Sequence, residues 1–183
     1  MITHIFSECI YTTIGIRSLI PPPGKRLGVP VGLSGGHICF IDIRIANFEE
    51  RYRSEYARRG AYKIVIITDC MHRIIAVDNK TIIASNFISL DRFDTLINDL
   101  YESYNHNTEP PQLSQRESFF LSEWSTGKSL SDISNIMQIR NKTANHYKAK
   151  IMKKFGTSRI KPLLHITHLR HLTAKLSIRI NKE

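Results

Sequence analysis

Residues Leu113–Gly156, LSQRESFFLSEWSTGKSLSDISNIMQIRNKTANHYKAKIMKKFG, decide how the second half of this chain folds. Ser114-Gln-Arg-Glu117 is a capping box, in which the Ser at the N-cap and the Glu three residues on satisfy each other's free N–H groups. The helix it opens carries Phe120, Leu121 and Trp124 on one face and stops before Gly127. Ser129-Leu-Ser-Asp132 repeats the device and starts a shorter helix, with Ile133, Ile136 and Met137 expected to face inward. Gln138–Asn141 makes the turn. A third helix, from about Lys142 to Phe155, sets Ala144, Tyr147, Ile151 and Phe155 in one inward stripe. Asn145, His146, Ala149, Lys150 and Lys153 then point outward. Two helices joined by a tight turn, the second polar and basic outside, make a helix-turn-helix. A three-helix bundle with a basic solvated face would show the same periodicity.

Charge separates the halves of the chain. Residues 1–110 contain 12 Lys and Arg against 12 Asp and Glu, while residues 111–183 contain 14 against 4, which is the whole formal charge of +10. A surplus confined to one segment is an electrostatic footprint for a polyanion, and the helix pattern makes duplex DNA the expected one. Lysines neutralise phosphates, while Asn and His near a helix N-terminus reach base edges.

The break in charge coincides with a break in pattern. SYNHNTEPPQ, residues 103–112, is polar, lacks apolar periodicity and ends in Pro110-Pro111, so it reads as a linker. Upstream, Ile2–Phe6 is a short strand and Thr12–Ile20 a helical stretch. Residues 21–36 are rich in Pro and Gly and read as loop, with a brief strand near Val29–Leu33. Ile38–Ile43 and Lys63–Thr68 are continuous β-branched runs of the kind that strands covered on both faces show. Ala46–Arg59 between them is helix-compatible, Val77–Lys80 is a turn, Thr81–Ala84 a strand, and Leu90–Tyr101 a helix. Alternating strands and helices predict a small parallel α/β sheet.

Several function classes find no support. No GxxxxGK[ST], GxGxxG or nucleophile–base arrangement is present, so the reading is not an enzyme and expects no cofactor. Cys9, Cys39 and Cys70 form no CxxC pair and predict reduced, buried thiols. His165, His168 and His171 recur at a spacing that drifts round a helix, without Cys or carboxylate beside them, so no metal is expected. With no apolar run of spanning length and no basic-then-apolar start, a cytoplasmic protein without membrane contact is expected.

Leu113, Arg116, Glu117, Leu121, Gly127, Ser129, Ile133, Ile139, Thr143, Ile151, Lys154 and Gly156 fall where the LuxR/FixJ-type DNA-binding domain has its signature residues. The resemblance covers about residues 112–175 without a gap. It implies that Thr143–Lys153 is the recognition helix and that a fourth helix near Lys161–Ala174 supports dimerisation. The resemblance thus assigns Lys142, Thr143, Asn145, His146, Ala149, Lys150 and Lys153 to DNA. Three positions depart from the family pattern. Arg140 stands where Ser is usual as N-cap, with Asn141 expected to take over that role. Tyr147 replaces a His, and Ala144 a Val. Within the family, the arrangement is similar to the auxiliary capsule-synthesis activators of the enterobacterial Rcs phosphorelay, including the N-terminal stretch ECIYTTIGIRSLI.

The first half resembles a response-regulator receiver. By that resemblance Asp42 sits where a phosphoacceptor would, Glu8 where one of two metal-holding acids would, and Thr68 where a hydroxyl residue would. The second acid is missing beside Glu8, the expected Lys is missing from Ala84-Ser-Asn-Phe87, and residues 21–37 are too short for a full β-α unit. Phosphoryl transfer needs those charges. The expected organisation is therefore an α/β, degenerate receiver-like domain over residues 1–102, a linker over 103–111, and an all-α, four-helix LuxR-type helix-turn-helix domain over 112–183. It would bind double-stranded DNA as a homodimer, or as a heterodimer with an Rcs-type response regulator. Two alternatives stay open: a regulator switched by phosphorylation of Asp42, and an interaction protein that sequesters a regulator without touching DNA.

Overall fold

The β-branched runs Ile38–Ile41 and Ile64–Ile67 are buried on both faces at the centre of a sheet, because helices cover each side. The computed structural model describes residues 2–22, 36–58, 61–69, 74–102, 111–159 and 161–180, excluding the side chains of 61, 62, 102 and 174–180. The strand anticipated near Val29–Leu33 and the linker at 103–111, apart from Pro111, lie outside the described residues. The chain divides into two compact units, residues 1–109 and 110–183.

In the first unit, β1 (Ile2–Phe6), β2 (His37–Asp42), β3 (Ala61–Thr68), β4 (Ile75–Ala76) and β5 (Thr81–Ser85) form one sheet in the order β1-β2-β3-β5-β4. All neighbours are parallel except β4, which runs antiparallel to β5 along the edge. The sequence reading has no counterpart of β4. Two residues are too few to show alternation, and the hairpin is closed instead by Asp78, whose Oδ1 accepts from the N–H groups of Lys80 and Thr81 at 2.8 and 2.7 Å.

The side-chain period of two sorts the sheet into faces. Ile38, Phe40, Val65, Ile67, Ile82 and Ala84 turn to one face and pack with Ile16 of α1 (Ile10–Leu19) and with Leu96, Ile97 and Leu100 of α3 (Leu90–Glu102). The alternate residues lie under α2 (Phe48–Ala57), whose Tyr52 hydroxyl bonds Thr81 Oγ1 at 2.9 Å. Glu55 of α2 is fully buried on this face, 3.4 Å from both His37 Nε2 and the half-exposed Arg58 guanidinium. Cys39 is buried here too, and burial pushes its thiol up; Cys9 is only half-buried, and Cys70 lies outside the described residues.

The second unit is all-α: α4 (Gln115–Ser125), α5 (Leu130–Ile136), α6 (Asn141–Lys154) and α7 (Lys161–Ile180). Both capping boxes form, Ser114 with Glu117 and Ser129 with Asp132. Gly127 ends the first helix at φ 87°, a conformation that favours glycine. Phe120 stacks on Tyr147 with ring centroids 5.9 Å apart and meets Trp124 edge-on at 5.7 Å. Ile133, Ala144, Ile151 and Phe155 complete the buried set.

Two expectations fail in this unit. Ile136 is 46% exposed rather than inward-facing. At about 100° per residue, the seven-residue α5 centres its buried arc between Ile133 and Ser134 and carries Ile136 well outside it. Asn141 is not the N-cap of α6. Arg140 holds that place with extended backbone and no side-chain cap bond, while the Asn141 side chain is engaged by Ser134 at 2.6 Å.

Candidate nucleic-acid interface

Helix α6 carries five lysines and one histidine with no acidic residue of its own. Burial of Ala144 and Ile151 fixes its rotation, and Lys142, Thr143, Asn145, His146, Ala149, Lys150 and Lys153 all emerge exposed. The structure brings these seven onto the outer side of one helix.

Their surroundings differ. Lys150 Nζ lies 3.2 Å from Glu117 Oε1, and Lys154 Nζ lies 2.7 Å from Glu117 Oε2 and 2.9 Å from the Gln112 carbonyl. Lys148 Nζ sits over the Trp124 ring, 5.4 Å from its centroid. Lys142 and Lys153 make no ion pair among the described residues, so their ammonium groups face solvent. Asn145 donates from Nδ2 to the Asn141 carbonyl at 3.1 Å.

Glu117 is the residue whose role the sequence conceals. Its spacing announces a helix cap, yet its side chain is 0% exposed. Besides closing the box, with Ser114 N–H donating to Oε2 at 2.7 Å, it anchors two lysines of α6 to α4. The Lys154 hydrogen bond outweighs burial and, with Ser114 and Lys150, holds the carboxyl down at about 2. The i, i+4 spacing of Lys150 and Lys154 is the one sequence signal of this anchor.

A second cluster lies at the C-terminal end of β2. Asp42 is 3% exposed and borders a recess of about 240 Å³ lined by Glu8, Cys9, Arg44 and Ile45. Arg44 grips the carboxylate with both prongs, Nε to Oδ1 at 2.9 Å and Nη2 to Oδ2 at 2.7 Å, and its backbone N–H adds a third bond at 3.0 Å. Ser7 Oγ donates to Oδ2 at 3.0 Å. Burial alone would raise this carboxyl, but the bonds from Arg44 and Ser7 outweigh it and hold it below the usual range. Glu8 is exposed and accepts only a long bond from the Ala46 N–H at 3.4 Å, and Thr68 is buried at the end of β3. The sequence reading missed Arg44, which stands two residues past Asp42 in an otherwise apolar run.

Elsewhere the chemistry is sparse. His165 is half-buried and His168 and His171 are exposed along α7. No group of His, Cys, Asp and Glu among the described residues is arranged to hold a metal ion, and no described helix is long and apolar enough to cross a membrane.

Residues 111–167 match the family described as bacterial regulatory proteins, luxR family. The transcriptional regulatory protein RcsA of Erwinia amylovora is 33% identical over 102 residues, which are 51% of this chain and 48% of that protein. The matched region thus spans about half the length of that curated relative. Among solved structures, the response regulator StyR aligns over 91% of this chain and 97% of its own at 14% identity and a TM-score of 0.38. A structure of two RcsB dimers bound to two parallel DNAs aligns over 91% and 97% at 17% identity and a TM-score of 0.34. The buried core, the two capping boxes and the family match agree, and the C-terminal part of this chain is a helix-turn-helix domain of the luxR family of bacterial regulatory proteins.

Proposed function

We propose that this chain is a transcription regulator that binds specific duplex DNA sequences as a dimer, with α6 as its recognition helix. The observation that carries this reading is the exposed row on α6, where Lys142 and Lys153 stand free of acids on either side of Asn145 and His146. Lysines at such positions meet phosphates, and an amide near the helix N-terminus meets base edges. Asn145→Ala is therefore expected to remove about 1–3 kcal/mol of discrimination between specific and non-specific duplexes. Lys142→Ala and Lys153→Ala should instead weaken binding to all DNA and reduce the salt slope by about one phosphate equivalent each. Titration of the variants against matched and scrambled duplexes at several salt concentrations separates the two effects. An unchanged specificity ratio in Asn145→Ala would mean that α6 is docked in another register. A protein that sequesters a regulator without touching DNA would leave no footprint on genomic fragments.

The α/β unit, residues 1–102, is read as a receiver-like domain that is not phosphorylated and serves protein contacts. Two observations support this. The Asp42 carboxylate is already neutralised by Arg44, and the sequence offers neither a second acid beside Glu8 nor a Lys in Ala84-Ser-Asn-Phe87. In addition, Ile10, Tyr11 and Ile14 of α1, Phe87 before α3 and Leu90 at its first position are large apolar side chains left exposed. Such a patch fits a protein partner, either a second copy or an Rcs-type response regulator. If Asp42 is silent, Asp42→Asn should leave DNA binding and reporter output within about twofold, the scale of a partly exposed ion pair. Reporter assays with the folded variant decide the point. A large loss would instead favour control by phosphorylation.

A further inference from the structure

Ser134, the side chain and main-chain carbonyl of Asn141, and the Asn145 amide are linked by hydrogen bonds from the scaffold helix to the outer side of α6. Ser134, in the last turn of α5, is 2% exposed. Its Oγ donates to Asn141 Oδ1 at 2.6 Å and lies 2.8 Å from the Ser131 carbonyl. Asn141 opens α6, and its carbonyl accepts from Asn145 Nδ2 at 3.1 Å. The Ser134–Asn141 bond bridges the turn Met137–Arg140, where Gln138 takes φ 53°. The single hydroxyl proton of Ser134 has two acceptors within reach, and the shorter contact is to Asn141 Oδ1.

We infer that Ser134 and Asn141 are positioning residues that orient Asn145 for adenine before DNA arrives. The inference rests on the reading of α6 as the recognition helix. An Asn amide has two N–H donors and one carbonyl acceptor. Committing the donor remote from Oδ1 to the Asn141 carbonyl would leave the other N–H and Oδ1 side by side for a base. That pair matches the N7 acceptor and N6 donor of adenine in the major groove. An exposed Asn must otherwise be ordered on binding, and a side chain already restrained loses less freedom. Ser134 is too deeply buried to touch a base, so any effect of its hydroxyl on base preference acts through Asn141 and Asn145.

The test uses the full-length chain and a randomised duplex library. Wild type, Ser134→Ala, Asn141→Ala and Ser134→Thr are each taken through site selection, followed by affinity measurements on single-base-pair variants of the selected duplex. The wild type is expected to demand adenine at one position of each half-site. Ser134→Ala, and Asn141→Ala, which keeps the main-chain carbonyl but loses the side-chain tie to Ser134, should each reduce that preference at least about fivefold and leave the other positions alone. The salt slope of Ser134→Ala should stay unchanged, since no phosphate contact is lost. Ser134→Thr keeps the hydroxyl and should keep the preference. Adding Ser134→Ala to Asn145→Ala should cost nothing further at that position, because the two residues act as one unit. An unchanged preference in Ser134→Ala overturns the inference. So does an equal loss at every position, the mark of a merely structural serine. A wild type that selects no motif at all overturns the recognition-helix reading and the inference with it.

Discussion

Glu117→Ala is expected to cost about 2–4 kcal/mol of the stability of the C-terminal unit, because it removes the reciprocal bond of the capping box and leaves two lysines of α6 without their buried counter-charge. Lys150 and Lys154 are 52% and 32% exposed, so both ammonium groups can turn to water, which keeps the loss below that of a fully enclosed pair. Glu117→Gln keeps the shape and an acceptor and should lose less. The same carboxylate predicts a pH dependence. Its folded-state value of about 2 lies below the ordinary 4.5, so it binds its proton less readily when folded. Its contribution is complete above about 4.5 and is lost as the pH falls from there towards 2. The gap in unfolding temperature between wild type and Glu117→Gln should therefore be widest near neutrality and close in acid. Trp124 is the single tryptophan and sits in this unit, so its fluorescence follows the relevant transition alone. A gap that stays constant across the pH range would show that the charge of Glu117 contributes nothing.

The second large effect concerns avidity. If the α/β unit supplies the contacts between protomers, truncation to residues 109–183 should weaken binding to a paired half-site about 100-fold while affinity for a single half-site is retained. Binding to the paired site then ceases to depend on half-site spacing. Gel shifts with single, paired and respaired duplexes measure both numbers. A fragment that grips the paired site as tightly as the intact chain would place the protomer contacts within the C-terminal unit, where α7 is the element to mutate next.

Much of this architecture is legible in the sequence because it follows from local rules. The boxes Ser114–Glu117 and Ser129–Asp132 are determined by neighbours three residues apart, and both form. The runs around Ile38 and Ile64 declare strands buried on both faces, and the period of α6 announces which of its residues emerge. What escapes is whatever depends on a partner distant in the chain. Nothing within residues 140–141 tells that Asn141 is claimed by Ser134 across the turn, so local sequence points to the wrong side chain for the cap. Glu117 looks like a surface cap until α6 arrives and buries it under Lys150 and Lys154. Ile136 reads as core because a short helix gives too few turns to fix its rotation. Arg44 looks like a stray charge until the strand end curls and delivers it to Asp42.

The Arg44–Asp42 pair has a consequence for how information would enter this molecule. A carboxylate balanced by a dissociable metal ion responds to the ion's concentration and to whatever chemistry the ion recruits. Here the balancing charge is tethered two residues away on the same chain and cannot diffuse away. If Asp42 stays silent, as proposed, a regulator built so has no state to report except its own presence. Its signal would be written in copy number, through how fast the chain is made, how fast it is destroyed, and how many partners it must share.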